Sequence, residues 1–563
     1  MRLPKTSWFP VIIGAIALIA ITAPYLYVAS AGGDEYVFGG FLLNPLDGNS
    51  YLAKIFQGWE GRWRNQLAYS AHPGEGAYIN LYYLFLGHLA RIIGIPLIYA
   101  FHGARVLGAA LLMCMLWRFY CAIFPDQRPR RLAFALAALG SGLGWILIPF
   151  GSITSDLWVA EMYPYLSSAT NPHFPLGLAL MLWLISPGQA HRSWRHNILR
   201  VFLAWLLSVV SPFGLVVVLG VLGAQFVYQL STRRAWQNLL DIRDEFAVLL
   251  PTLIGGLPAM LYYLWVARAD PVIAAWNAQN VTPSPPLWDL LISLSPTLIF
   301  ALVGVWLSYQ RIRETSEVSQ THPQPRRLLV DFGSLALWNF EKIRAWFLKR
   351  KELSADAYQL TTILVIWAAM GLILVYLPLG LQRRFLMGLF IPLAGLAALG
   401  LEYLAARFSW SYRSWVILLF TLSIPTNLVI SLTGFHGART LEPMLYLARE
   451  EARALEWITE STPPDALILA SPALGNFIPA HTGRRVIYGH PYETINAGQE
   501  KEAVEQLFEG ALSPDERQSF LAERGVDYIF CGPREQELGD GCTDWDYEMI
   551  FSVGQVVIRM VGN

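Results

Sequence analysis

The sequence predicts an α-helical polytopic membrane protein of about eleven transmembrane helices, with interfacial helices in its first outer loop and an extracytoplasmic α/β domain at its C-terminus. Three observations lead to this prediction. Of the 563 residues, 55% are hydrophobic and only 15% are charged, whereas roughly 25% charged residues is usual in a soluble protein. The apolar residues form runs of the length that crosses a bilayer, about 20 residues. The residues after 433 have the charge density of a soluble domain.

Apolar runs follow one another from the N-terminus to residue 433. The first run, Trp8 to Val28, follows Arg2 and Lys5 and has no small-residue cleavage site, so we interpret it as an uncleaved span and not as a signal peptide. The run 199–230 is too long for one span and contains a Ser-Pro-Phe-Gly reversal at 211–214, so we divide it into two helices. The other runs are 98–120, 131–150, 173–187, 246–267, 288–308, 359–378, 385–404 and 412–433.

The Lys and Arg residues orient these spans. With the N-terminus in the cytoplasm, the cytoplasmic loops hold about three times as many Lys and Arg as the outer loops, as the positive-inside rule requires. An odd number of spans then places the C-terminus outside. We therefore expect a multi-pass protein of the cytoplasmic (inner) membrane. A few basic residues lie on the outer side against this bias, and these are Lys54, Arg62, Arg64, Arg105, Arg383 and Arg384.

We divide the chain at residue 433. Residues 1–433 are the predicted transmembrane domain, and residues 434–563 are the predicted extracytoplasmic α/β domain. Within the first, 29–97 is a long first outer loop with interfacial helices, 151–172 is the second outer loop, and 309–357 is a cytoplasmic connector.

Helical and strand patterns alternate after residue 433, which is typical of an α/β domain. We expect helices at 442–460, 500–509 and 514–523, and strands at 466–470, 528–531 and 555–560. Cys531 and Cys542 flank a Gly-containing turn. In an oxidising compartment their spacing permits a disulfide without requiring one.

Asp47 stands at the start of an amphipathic segment in the first outer loop. The residues that follow it share an apolar helical face, made of Tyr51, Leu52, Ile55, Phe56 and Trp59, which predicts a short helix in the membrane interface. Asp47 is open to two interpretations. As an N-cap it satisfies free backbone N–H groups, and a carboxylate that a cap holds rigidly at the membrane surface is also well placed as a general base. Residues 77–95 are apolar but contain His88 and Arg91, and we interpret them as a second interfacial helix.

The order of these features resembles that of the GT-C glycosyltransferases, the polyprenyl-phosphate-dependent enzymes that include protein O-mannosyltransferases and aminoarabinose transferases. Members carry an acidic residue in the first outer loop, often as D-E-x-x-Y, then a Pro-containing stretch, an aromatic interfacial helix and an Arg entering the second span. The matching residues here are Asp47 and Tyr51, His72-Pro73, Tyr82-Tyr83 and Arg105. The chain departs from the pattern at Gly48, which replaces the second acid. The nearby pair Asp34-Glu35 is an alternative base, although no Tyr follows it at the family's spacing.

The resemblance extends to the second outer loop, where such enzymes often place a polar or acidic residue before a Pro. Here that place holds Asn171, followed by Pro172 and His173, with Glu161 earlier in the loop. Because an amide cannot act as a base, Glu161 is the expected acidic partner of Asp47. A solvated loop acid is the structural alternative. The substrate-binding residues implied are Tyr51, Lys54, His72, Asn171 and His173.

Arg383 and Arg384 lie on the outer side, where paired guanidinium groups usually have a partner. A lipid phosphate is a natural partner, since a guanidinium fork matches phosphate oxygens. The resemblance implies the same donor-phosphate role, in which Arg105 is expected to join. Snorkelling to anionic headgroups is the alternative.

His481, His490 and Glu493 in the C-terminal region invite a metal interpretation, but they do not complete a ligand set. We interpret the segment 489–493 as a polar turn, with a loop over the mouth of an active site as the functional alternative. No cofactor is predicted with certainty, although a divalent metal is compatible with the family.

The predicted function is the inverting transfer of a sugar, hexosyl or pentosyl, from a polyprenyl-phosphate donor to an acceptor on the extracytoplasmic side. Asp47 is the expected general base, with neighbours such as Lys54 setting its pKa. The acceptor, whether glycan, lipid or protein, is open. Membrane lipids are expected partners, and the zero net charge gives no reason to expect nucleic acid. A transporter or a non-catalytic scaffold is the alternative, although we find no repeated halves of the transporter type.

Overall fold

The computed structural model describes residues 8–187, 193–232, 239–318, 355–378, 380–542 and 545–562. The predicted cytoplasmic connector, 309–357, lies largely outside these residues. The chain is mostly helical as far as residue 439. The helices of eight residues or more in this part are α1 (Trp8–Ala31), α2 (Pro45–Trp59), α3 (Leu81–Ile93), α4 (Leu97–Ile123), α5 (Gln127–Leu139), α6 (His173–Ile185), α7 (Trp194–Val210), α8 (Pro212–Thr232), α9 (Leu239–Ala269), α10 (Pro271–Gln279), α11 (Leu287–Leu294), α12 (Thr297–Val318), α13 (Ala355–Val375), α14 (Phe390–Arg407), α15 (Tyr412–Ser423) and α16 (Pro425–Arg439).

The protein is an integral membrane protein. In the described ranges six helical segments are long and apolar enough to cross a bilayer, and the bent pair α11 and α12, at 88° to one another, makes a seventh. The six are Trp8–Ala31, Leu97–Ile123, Pro212–Ser231, Phe246–Ala269, Gln382–Arg407 and Tyr412–Arg439. Three shorter apolar helices are Leu81–Ile93, His173–Ile185 and Thr361–Val375. The prediction of about eleven spans is therefore confirmed only as a multi-spanning helical bundle, and the count itself stays a prediction.

The apolar run 199–230 divides at Ser211 into α7 and α8, as the sequence predicted. The expected span 131–150 was wrong, because α5 already ends at Leu139. The Gly-rich segment that follows packs against the backbone of α11. A Cβ on Gly142 would lie 1.9 Å from the carbonyl oxygen of Ser293, so the backbone can approach α11 this closely only because residue 142 has no side chain. It leads into short helices at Ser155–Trp158, Ala160–Met162 and Pro164–Ala169.

Helix α2 begins at Pro45, before Asp47, because Pro is favoured in the first helical turn, where its missing N–H costs nothing. Asp47 therefore lies inside the first turn, and the N-cap interpretation was wrong. The prediction that α2 lies in the membrane interface stays a prediction. Within the protein its polar residues Asn49, Lys54 and Gln57 are buried together with its apolar ones. Helix α3 and the C-terminal region cover α2 from different sides.

The C-terminal region contains a five-stranded sheet, which confirms the predicted α/β character. Two strands form a separate pair, β1 (Tyr36–Phe38) and β2 (Tyr446–Ala448). The five-stranded sheet consists of β3 (Leu467–Leu469), β4 (Arg485–Val486), β5 (Tyr528–Cys531), β6 (Glu548–Val553) and β7 (Val556–Met560). Its strand order is β4-β3-β5-β7-β6. β3 is parallel to β4 and β5, and β7 is antiparallel to β5 and β6. The helices are α17 (Arg449–Ser461), α18 (Ala497–Phe508) and α19 (Pro514–Arg524), with short ones at Pro472–Gly475, Ile478–Thr482 and Pro533–Gln536.

The first outer loop and the C-terminal region form one packed unit. β1 of the loop pairs with β2 antiparallel, with Val37 opposite Leu447. Ala53, Ala68 and Tyr69 of the loop belong to the same buried cluster as α17 and the sheet. Burial of this much apolar surface fixes the loop, and therefore α2, against the C-terminal region. Cys531 and Cys542, left open by the sequence, form a disulfide.

Candidate active site

Asp47 lies at the N-terminal end of α2, with a carboxylate that the protein holds through both oxygens. Its Oδ2 accepts a hydrogen bond of 2.5 Å from Asn44 Nδ2. Its Oδ1 lies 3.2 Å from Nε2 of His490. The Asp47 side chain nevertheless remains 33% exposed, so its carboxylate is both oriented and accessible, as a proton acceptor for a substrate must be.

Burial raises the pKa of the Asp47 carboxyl, but the hydrogen bond from His490, the positive charge of Arg384 and the hydrogen bond from Asn44 outweigh it and hold the pKa well below its usual range. The prediction that Lys54 sets this pKa was wrong. Lys54 instead forms a 2.8 Å ion pair with Glu493 of the C-terminal region.

Aromatic rings pack beside Asp47. Tyr51, one turn further along α2, stacks on Tyr83 of α3 with ring centroids 4.3 Å apart. The hydroxyl of Tyr83 lies 2.6 Å from Nδ1 of His173, at the start of α6. Tyr51 and His173 are themselves in edge contact, at 5.1 Å. These contacts bring the first residue of α6 to the same place as the first two turns of α2.

Glu161 and the Arg pair form a second cluster. The Glu161 carboxylate lies 4.0 Å from Nε of Arg383 and 3.9 Å from Nη1 of Arg384. Both arginines belong to a 3-10 helix, Gln382–Leu386, just before α14. The guanidinium of Arg383 lies over the ring of Trp158, at 4.5 Å. The charges of both arginines act on Asp47 as well as on Glu161, so the two clusters form one site.

Buried carboxylates hold the loop that carries Glu161. Asp156 accepts hydrogen bonds from the backbone N–H of Gly144 and the hydroxyl of Thr426, both at 2.9 Å. Asp289 of α11 accepts from the backbone N–H of Ser155 at 2.8 Å. Because buried polar groups that are fully hydrogen-bonded rigidify their surroundings, this network fixes the loop against α11 and α16. A further backbone bond of 2.9 Å, from Gly388 N–H to the Glu161 carbonyl, joins the loop to the segment after the Arg pair.

Seven of the predicted site residues are thus brought together: Asp47, Tyr51, Lys54, Glu161, His173, Arg383 and Arg384. Three others lie elsewhere. Arg105 is 1% exposed and donates to the carbonyl oxygens of Ile21 and Ser168. His72 is exposed, and the carbonyl of the preceding residue, Ala71, accepts a hydrogen bond from Arg485. Asn171 is buried, with an amide nitrogen that has no hydrogen-bond partner in the described part of the chain.

The position of Arg105 has a physical reason. Its guanidinium also lies over the ring of Tyr25, at 4.3 Å, so it ties α1 to α4 from inside the bundle. Its Nη1 donates to two backbone carbonyls and its Nε to Nδ1 of His102, and its role in binding a lipid phosphate stays a prediction.

Three contributors to the site were not identified from the sequence, namely Asn44, His490 and Glu493. Asn44 is in the left-handed region, with φ 51°, and precedes α2 directly. An Asn before a Pro-started helix was a usable signal. The segment with His490 and Glu493 was open to two interpretations, a polar turn and a loop over the mouth of an active site. Nothing in its local pattern indicates a contact with α2, more than four hundred residues away.

The arrangement does not fit a resident divalent metal. The described ranges contain no group of three or more His, Cys, Asp or Glu side chains that can hold an ion. The Glu161 carboxylate faces two guanidinium groups and not a second acid. A cation bound beside Glu161 would be repelled by the two arginines.

Solved structures share this architecture. An oligosaccharyltransferase from Archaeoglobus fulgidus, solved with zinc and sulfate, superposes with a TM-score of 0.50 at 12% identity, over 92% of this chain and 67% of that one. This chain shares the fold of that enzyme. An archaeal oligosaccharyltransferase AglB, also from Archaeoglobus fulgidus and solved with an inhibitory peptide and a dolichol-phosphate, gives 0.48 at 13% identity over 93% and 70%. ArnT from Cupriavidus metallidurans gives 0.44 at 12% identity over 98% and 97%.

No family model and no curated protein matches the sequence. In this fold Asp47 lies in the first turn of α2, and the Arg pair precedes α14. The C-terminal region completes the site by placing His490 and Glu493 on α2.

Proposed function

We propose that this protein is a membrane glycosyltransferase that transfers a sugar from a polyprenyl phosphate to an acceptor on the extracytoplasmic side. One observation carries the proposal. An accessible, oriented carboxylate, Asp47, and two guanidinium groups, Arg383 and Arg384, lie in one cluster within a GT-C fold. Sugar transfer from a lipid phosphate needs these two functions side by side, a proton acceptor and a stabiliser of the leaving phosphate.

The Arg pair is suited to a phosphate. Its distances of 3.9 and 4.0 Å to Glu161 exceed the roughly 2.7–2.9 Å of a charge-assisted hydrogen bond. Nε of Arg383 is buried, with no hydrogen-bond partner among the described residues. A donor left unsatisfied is costly, and a phosphate oxygen would satisfy it.

In the proposed reaction the acceptor's nucleophilic atom attacks the anomeric carbon from the face opposite the phosphate. The bond from the anomeric carbon to the phosphate oxygen breaks, its electron pair stays on the phosphate, and the configuration inverts. Asp47 takes the acceptor's proton. Because the low pKa of Asp47 makes it a weak base, the proton moves late, when the attacking atom has already become positive. Arg383 and Arg384 stabilise the released polyprenyl phosphate, and Glu161 positions the two guanidinium groups.

The proposal includes an orientation. The N-terminus is in the cytoplasm, the site and the C-terminal region face outwards, and the protein resides in the cytoplasmic (inner) membrane. The asymmetry of Lys and Arg between the loops supports this.

A donor screen tests the function. Purified full-length protein in lipid nanodiscs is incubated with a panel of polyprenyl-phosphate sugars, each combined with membrane glycan, lipid and protein fractions as acceptors, and released polyprenyl phosphate is measured. We expect enzyme-dependent release with at least one donor. No release with any combination would contradict the proposal, and movement of intact donor across vesicles without cleavage would favour a transporter.

A further inference from the structure

A loop of the C-terminal region, residues 489–494, brings a histidine onto Asp47. His490 is 1% exposed, and its Nε2 lies 3.2 Å from Asp47 Oδ1. Its other ring nitrogen, Nδ1, accepts hydrogen bonds from the backbone N–H groups of Tyr492, at 3.0 Å, and Glu493, at 3.2 Å. A ring nitrogen that accepts N–H bonds carries no proton, so the ring proton is on Nε2 and points at the carboxylate.

We infer that His490 is a positioning residue for the proposed reaction, which holds the Asp47 carboxylate ionised and in one orientation towards the acceptor. The inference rests on the proposed role of Asp47 as general base. His490 does not relay the proton, because its Nε2 already carries one and its Nδ1 is occupied by the backbone. With His490 on Oδ1 and Asn44 on Oδ2, rotation of the carboxylate would break one bond or the other.

The loop does not depend on His490 for its place. Glu493 pairs with Lys54 of α2 at 2.8 Å. Gln279, the last residue of α10, donates to the Thr494 carbonyl at 2.6 Å, and the neighbouring Asn280 donates to the Tyr492 carbonyl at 3.1 Å. These bonds clamp the loop between α2 and α10. A substitution of His490 also removes the acceptor of the Tyr492 and Glu493 N–H groups. Because the bonds to Lys54, Gln279 and Asn280 remain, the effect on Asp47 can be separated from a loss of stability when the Tm is measured as well.

The hydrogen bond between His490 and Asp47 affects how the proposed activity depends on pH. The other charged or titratable groups that face Asp47 are Arg383 and Arg384 before α14, Tyr51 of α2, Tyr83 of α3 and His173 of α6. Burial raises the pKa of Asp47, and the His490 bond is the largest influence that opposes it. Because a general base must be ionised, activity falls as the pH falls through this pKa. Loss of the His490 bond raises the pKa and moves that acid limb to higher pH.

The test compares His490→Phe, which keeps a ring without a donor, with His490→Gln, whose amide N–H can replace Nε2–H. Both are assayed as full-length protein with the donor found for the wild type, from pH 4 to pH 8. For His490→Phe we expect kcat to fall by about tenfold or more, the size of one hydrogen bond to a charged group, and the acid limb to move towards neutral pH. The KM for the donor should hardly change. His490→Gln should recover part of both, and His436→Gln, an exposed control, should match the wild type.

A merely structural role would lower the Tm of the His490 variants without moving the acid limb. If wild-type protein transfers sugar and His490→Phe keeps its kcat and pH profile, the inference is overturned and the proposed function stands. If His490→Phe does not fold, His490→Ala takes its place in the same comparison. No transfer by wild-type protein with any donor removes the proposed function, and the positioning role with it.

Discussion

Arg384 interacts electrostatically with both clusters of the site, since its charge acts on Asp47, on Tyr51 and on Glu161. We expect Arg384→Gln to raise the KM for the lipid-phosphate donor by about tenfold or more, the contribution of one charge-assisted hydrogen bond. The initial rate as a function of donor concentration measures this. Arg439→Gln is the matched control, because Arg439 is exposed at the end of α16. An equal rise in KM for both variants would mean that Arg384 only attracts anionic headgroups.

At the scale of residues, the sequence indicated the Arg pair because its charges lie on the predicted outer side against the positive-inside rule, whereas Asp47 and Glu161 were indicated by the resemblance to the GT-C enzymes. Arg105 satisfies the same rule, but its bonds to Ile21 and Ser168 depend on the close approach of α1 and of the loop before α6. Helix packing of this kind leaves no pattern in a single sequence.

Helices α2 and α3 cross at two glycines, and this contact sets the position of Asp47. A Cβ on Gly58 would lie 2.1 Å from the carbonyl oxygen of Leu84, and one on Gly87 would lie 2.0 Å from that of Ile55. Close backbone approach at small residues is a common way for membrane-protein helices to associate.

Gly58→Ala should destabilise the protein by about 1–3 kcal/mol, the usual range for overpacking, because the clash is with backbone. Thermal unfolding in detergent measures the change in Tm. Gly103→Ala is the control, since a Cβ there meets nothing within 4 Å in α4, and Ala is the better helix former by about 1 kcal/mol. A Gly58→Ala protein as stable as this control would show that α2 and α3 can separate at little cost.

At the scale of elements, apolar runs and Pro or Gly breaks predicted most helices, and β5 was predicted to the residue, at 528–531. The environment of α2 could not be predicted in the same way. Its apolar face indicated a helix on a membrane surface, but its polar face is also buried, because the C-terminal region covers it. That cover includes the bond between Asn49 and Asn476, residues 427 positions apart. Such distant pairs have no local signature.

At the scale of the whole molecule, the packing of the first outer loop on the C-terminal region places both on the same side of the membrane. The Cys531–Cys542 disulfide is expected only in an oxidising compartment. When cells are treated with an alkylating reagent before lysis and the purified protein is analysed by mass spectrometry without reduction, Cys531 and Cys542 should be unmodified. A sample that is reduced and unfolded before alkylation, in which both cysteines should be modified, serves as the labelled control. Alkylated Cys531 would contradict the outward orientation of the site.

The central claim is that Asp47 takes the acceptor's proton in sugar transfer from a lipid phosphate. Its most direct test is the release of polyprenyl phosphate by Asp47→Asn, which keeps the shape of the side chain and removes the base, with Asp34→Asn as control. Asp34 is exposed and belongs to the alternative acidic pair. We predict that Asp47→Asn folds like the wild type and releases polyprenyl phosphate at least about 100-fold more slowly, while Asp34→Asn keeps the wild-type rate. Wild-type release by Asp47→Asn, or its loss in Asp34→Asn alone, would contradict the claim.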